Sequence, residues 1–114
     1  MRYEDLSSEE KKIFDLTPKI RDLVNGSKDL NVYISNKIRK NEYDDRIAGV
    51  YIRSEQRIII RRDQLKSLRS YCATLLHEYA HHSSQASDYT IQFELELSKY
   101  LGVLGVQLLG IMLK

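Results

Sequence analysis

The sequence predicts a small α+β domain, because apolar residues at helical spacing near both ends of the chain enclose a middle region of short β-prone runs. A second observation agrees: turn-forming residues separate these segments, and no repeat or low-complexity linker interrupts them. At 114 residues there is room for one core, so the chain reads as a single domain over residues 1–114. An apolar fraction of 42% against 30% charged residues is enough to fold and argues against disorder.

The first helix is announced by Ser7 and Glu10, a capping-box pair, followed by Ile13, Leu16, Ile20, Leu23 and Val24 at spacings of three and four. It should run from about Ser8 to Asn25, with Pro18 either kinking it or dividing it in two near Thr17. Asn25-Gly26-Ser27 ends it. Three β-prone runs follow, Asn31 to Ser35, Gly49 to Arg53 and Arg57 to Arg61; Ser54-Glu55-Gln56 joins the last two as a hairpin or tightly linked pair. A short mixed or antiparallel sheet is therefore expected. From Asp63, a candidate N-cap, the period changes: Leu65, Leu68, Cys72, Leu75, Leu76 and Tyr79 predict a second long helix ending near His82 or Ser83. Ser83 to Ser87 reads as a loop, and Ser87 or Asp88 as the cap of a third helix starting near Tyr89. Its apolar stripe is Phe93, Leu97, Tyr100, Leu101, Leu104 and Leu108.

Leu101 to Leu113 is almost wholly apolar, yet far shorter than the roughly 20 residues a membrane-spanning helix needs. It should be a core or interface helix, with a protein partner, a dimer contact or further chain as the sharper reading. The amino-terminal stretch MRYEDLSSEEKK lacks the apolar centre of a signal peptide, and a lone cysteine, Cys72, forms no internal disulfide. A cytoplasmic protein is the resulting expectation. With 18 basic and 16 acidic residues the net charge of +2 does not mark a nucleic-acid binder.

The chemistry is concentrated in His77-Glu78-Tyr79-Ala80-His81, which matches H-E-x-x-H on a segment that periodicity already makes helical. At about 100° per residue the two imidazoles lie one turn apart on nearly the same face, where both can reach one divalent cation, for which zinc is the natural choice. Glu78 on the adjacent quadrant is then placed as general base toward the attacking water, the arrangement of a zinc metallopeptidase. His82 points about 100° away from His81 and is expected to be solvated or to support a ligand rather than bind the ion. A catalytic zinc site takes a third protein ligand, and with no further histidine in the chain this must be a carboxylate. Glu94 is the first choice: if the third helix folds back antiparallel, it comes level with the histidines on the shoulder of the apolar stripe. Asp88 is the alternative from the loop, and Glu96 falls on the opposite flank.

The run Thr74 to His81 resembles the active-site helix of zincin metallopeptidases, and Ser87 to Glu94 resembles the downstream part of small glutamate-ligand zincins. Similar modules occur beside histidine-kinase-like ATPase domains in bacteria and, more distantly, in phage-repressor-cleaving peptidases. The likeness spans roughly Gly49 to Gly102. It implies a zincin-like domain whose edge strand lies along the cleft and accepts a peptide or protein substrate as an added strand. Either Val50 to Ile52 or Ile58 to Ile60 would supply that edge. Ser84 departs from the glycine at which many zincins turn sharply after the helix, which removes the adamalysin-like histidine pattern from consideration.

Two rival functions remain at this level: a zinc-binding regulatory module with little or no turnover, and a DNA-associated peptidase. The second is suggested only by Arg53, Arg57, Arg61, Arg62, Lys66 and Arg69, a basic run that is ordinarily a solvated face. Cys72 lies about 140° around the helix from His77 and reads as a core thiol. Tyr79 and Tyr100 read as core residues with their hydroxyls at the rim.

Overall fold

A computed structural model describes residues 1–36, 48–85 and 90–112. Among the described residues there are four α-helices, α1 (Ser8–Phe14), α2 (Thr17–Leu23), α3 (Leu68–Ser84) and α4 (Ile91–Met112), and three strands, β1 (Asn31–Ser35), β2 (Gly49–Ile52) and β3 (Arg57–Arg61). The α+β class is as expected, and the sheet is mixed.

The amino-terminal capping box forms in full: the Ser7 backbone amide donates to Glu10 Oε1 at 2.8 Å and the Glu10 amide donates to Ser7 Oγ at 3.2 Å. Of the two outcomes expected at Pro18, division into two helices near Thr17 is the one found: Pro18 sits in the first turn of α2, where its missing amide costs nothing. Thr17 holds the junction. Its hydroxyl donates to the Phe14 carbonyl at 2.6 Å and shares a 2.6 Å hydrogen bond with the buried Tyr71 hydroxyl. Beyond α2, Asn25 takes a left-handed conformation with φ 54°. Gly26 then lets the Tyr79 ring close on the backbone, since a Cβ there would lie 3.1 Å from ring carbons.

In the sheet β3 is central, parallel to β1 and antiparallel to β2. The register aligns Ile34 with Ile60 and Ile60 with Gly49, and Val32 with Ile58 and Ile58 with Tyr51. Aligned residues share a sheet face, so Val32, Ile34, Ile58, Ile60, Gly49 and Tyr51 look toward α3. Ile58 and Ile60 are fully buried there. Arg53, expected as the last residue of a strand, instead starts a 3₁₀ turn through Glu55, and Gln56 at φ 51° leads into β3.

Asp63 does not cap the long helix. It lies in a 3₁₀ turn over Arg62–Lys66, and the cap is Ser67, whose Oγ accepts from the Ser70 amide at 3.1 Å. Helix α3 then runs through the middle of the domain, burying Tyr71, Leu75, Glu78, Tyr79 and Ala80 between the sheet on one side and α1, α2 and α4 on the other. It ends at Gln85, which adopts φ 54° and donates its amide to the His81 carbonyl. The left-handed turn that glycine often provides is here made by glutamine, one residue after Ser84.

Helix α4 starts at Ile91 under Thr90, whose Oγ1 accepts from the Phe93 amide at 3.2 Å. The caps expected at Ser87 and Asp88 lie outside the described residues. Phe93 and Tyr100 are buried and Leu97 and Leu104 pack against the core, while Tyr100 and Ser83 hydroxyls are hydrogen-bonded across the α3–α4 contact. Leu101 and Leu108, expected on the same stripe, are exposed instead. The surface that α2 and α3 offer to α4 covers a narrow stripe only, and these two side chains fall beside it. Of the segment expected as a core or interface helix, Leu104 meets the core, while Leu101, Val106, Leu108 and Leu109 are exposed. No helix among the described residues is long and apolar enough to cross a membrane.

Candidate metal centre

The H-E-x-x-H residues occupy the third and fourth turns of α3. Packing from both sides settles what each of them faces. His77 and His81 are half-buried, with ring centres 5.0 Å apart and planes at 76°. Two imidazoles sharing one tetrahedral zinc through nitrogens at about 2.0–2.1 Å would also have ring centres about 5 Å apart. Phe93, from the first turn of α4, closes over both rings, stacked on His81 at 4.3 Å and edge-on to His77 at 4.9 Å. The apolar ring restricts the rotamers of both imidazoles and shields one side of the pair from water.

Glu78 faces the sheet and is 4% exposed. Its partner surface is β2. A Cβ built on Gly49 would stand 3.3 Å from Glu78 Oε2 and 2.8 Å from Thr74 Cγ2, so the strand approaches the carboxylate this closely only because residue 49 has no side chain. Thr74 is held by its own hydrogen bond, its hydroxyl donating to Gln64 Oε1 at 3.0 Å. One turn beyond Glu78 on the same helix face, His82 meets the Tyr51 ring edge-on at 5.5 Å. His82 is thus a packing residue against β2, half-buried rather than solvated. The Tyr51 hydroxyl is buried and has no hydrogen-bond partner among the described residues.

Among the described residues β3 has a strand on each side, so Ile58 to Ile60 is not an edge; β2, with Val50 to Ile52, is an edge strand of this sheet and packs beside α3.

Glu94 directly follows Phe93 in the first turn of α4 and its side chain is exposed. Among the described residues no three histidine, cysteine, aspartate or glutamate side chains are gathered as a metal-binding group. Asp88 lies outside the described residues. Cys72 is half-buried on another face of α3, and burial pushes its thiol pKa up, as suits a core thiol.

Several of the arginines in the basic run are already paired. Arg57 Nε lies 2.7 Å from Glu55, Arg61 Nε 2.9 Å from Asp63 and Arg62 Nε 2.8 Å from Glu10. These carboxylates leave a weaker positive field than the arginine count suggests.

Comparison of the chain with protein-family models, with curated proteins and with solved structures returned no match. The functional reading therefore rests on the motif and its surroundings. Of these, Phe93 was legible only as a buried residue of a helix, and its contact with both imidazoles depends on how α4 returns. Gly49 carried a faint signal, a glycine opening a β-prone run, which often marks a close backbone approach.

Proposed function

We propose that the chain is a zinc-dependent metallopeptidase in which His77 and His81 hold the metal and Glu78 is the general base. The observation that carries this reading is the combination on α3 of two imidazoles with ring centres 5.0 Å apart and a buried carboxylate facing β2, an edge strand among the described residues. Bound zinc would supply Lewis acidity, polarising the scissile carbonyl and acidifying the attacking water. Glu78 accepts the proton of that water and passes it to the departing amine. Its burial beside Gly49 keeps bulk water away and strengthens the charge it presents. The edge of β2 offers backbone donors and acceptors to an extended peptide, which brings the scissile bond alongside Glu78. Phe93 holds both imidazoles in place. Glu94, next to Phe93, is the proposed third ligand and requires its exposed side chain to turn toward the histidines; Asp88 is the alternative.

Metal content and proteolysis test this together. Protein purified without added metal should contain about one zinc per chain, and His77→Ala should lose most of it. Glu78→Gln should retain zinc while peptide hydrolysis falls by about 10²–10⁴-fold. Zinc retained by both variants would overturn the ligand assignment. Zinc bound by wild type with no hydrolysis of any unfolded protein substrate would favour the regulatory module, a reading supported by the absence of a gathered third donor among the described residues. The DNA-associated reading draws little support from a basic run in which Arg57, Arg61 and Arg62 each have a carboxylate partner.

A further inference from the structure

The second half of α4 has its polarity inside out. From Leu101 to Met112 the helix has no charged residue, and its one polar side chain, Gln107, donates across to the Leu23 carbonyl at 2.8 Å. One face turned to solvent is apolar: Ile91, Leu95, Val106 and Leu109 are all at least 60% exposed, and the equally exposed Leu101 and Leu108 flank it about 100–120° round the helix. A helix with apolar residues all round is normally enclosed on every side, whereas a solvated helix keeps its polar residues outward. The four side chains of the face present on the order of 500 Å² of apolar surface, at the upper end of what a monomer leaves open. With its rim, the face approaches the ~800 Å² per partner of a stable interface.

We infer that this face of α4 is a homodimer interface, occupied by α4 of a second copy packed antiparallel across a two-fold axis near Gly102. A two-fold interface must be its own complement, and the residue order meets that condition. Leu95 and Leu109 lie equally far before and after Gly102, about two helical turns each way, and Ser98 and Val106 lie equally about one turn each way. At about 100° per residue all five fall within roughly 40° of one line along the helix. An antiparallel mate centred on Gly102 sets leucine on leucine at both ends. Nothing stands within 4 Å of a Cβ placed at Gly102 or Gly105, so two backbones can approach closely there. The lack of charge on this half of the helix leaves no like-charge repulsion between copies. It also disfavours a membrane surface, since interfacial helices carry lysine and arginine along their polar face and α4 has Glu94, Glu96 and a lone Lys99.

The inference is independent of the metal chemistry. Sedimentation of the full 114-residue chain at concentrations up to about 100 µM should show a reversible monomer–dimer equilibrium. Leu95→Glu and Leu109→Glu should each raise the dissociation constant by at least about tenfold. Both residues are exposed, and an unchanged circular-dichroism melting curve for the variants would show that the fold is kept. In a Cys72→Ser background, Gly102→Cys should oxidise to a covalent dimer, while Gly110→Cys, about two turns off the axis, should not. A monomer at all concentrations overturns the proposal. So does a dimer indifferent to both glutamates, equal crosslinking at the two positions, or a monomer that binds phosphatidylserine vesicles.

Discussion

Helices α3 and α4 lie against each other and are composed almost in reverse of what their surroundings suggest. α3 carries histidines, a glutamate and several hydroxyls through the centre of the domain, with Glu78 buried between strand and helix. α4 carries leucines and valines along an exposed surface. Polar chemistry is buried where two layers of structure converge, and apolar surface is exposed where, among the described residues, α2 and α3 meet only one side of the helix. Composition alone would have placed the two helices the other way round. An open leucine face is unfavourable in an isolated domain, and the second copy proposed above would cover it.

The strongest way to break the comparison is to cut into the supported helix. Leu75→Ala removes a fully buried side chain beneath the motif and should cost about 2–5 kcal/mol, measured by denaturant unfolding. Gly49→Ala probes the contact between β2 and the motif. Its methyl meets Thr74 and Glu78, so peptide hydrolysis should fall by about 10²-fold while zinc content stays near wild type; full activity would mean that Glu78 does not need its present position. A smaller effect belongs to the amino-terminal edge. The Arg62 guanidinium, and after it the Ser7 amide, hold the Glu10 carboxyl down to about 2 from an ordinary 4.5. A carboxylate with its folded pKa lowered stabilises the protein fully above its unfolded pKa and loses that contribution as pH falls from about 4.5 toward 2. Glu10→Gln should therefore flatten the acid limb of the stability curve in that window and cost no more than about 1 kcal/mol at pH 7, the upper range for a pair open to solvent. Smallest of all, Leu101→Gln on the open flank of α4 should change the unfolding free energy of the monomer by less than about 0.5 kcal/mol. A large loss there would show that this leucine is a core residue after all.

Much of the candidate site was readable in advance because the relevant forces are local. The i, i+4 spacing of His77 and His81 fixes their common face as soon as the segment is helical, and the capping box of Ser7 and Glu10 closes within one turn. Likewise the alternation of Ile58 and Ile60 needed only a strand to put both on one side. Cap positions were less secure: Asp63 and Ser67 are both good caps, and only the 3₁₀ turn over Arg62–Lys66 selects the second.

Contacts between segments distant in sequence could not be read in this way. That β3 rather than β2 takes the centre of the sheet, that Gly49 stands against Glu78, and that Phe93 covers both imidazoles are consequences of how layers dock, and a one-dimensional pattern carries no term for them. The same holds for α4, where periodicity marks Leu101 and Leu108 as apolar with Leu104. Burial requires an opposing surface, and only the assembled domain reveals how narrow that surface is.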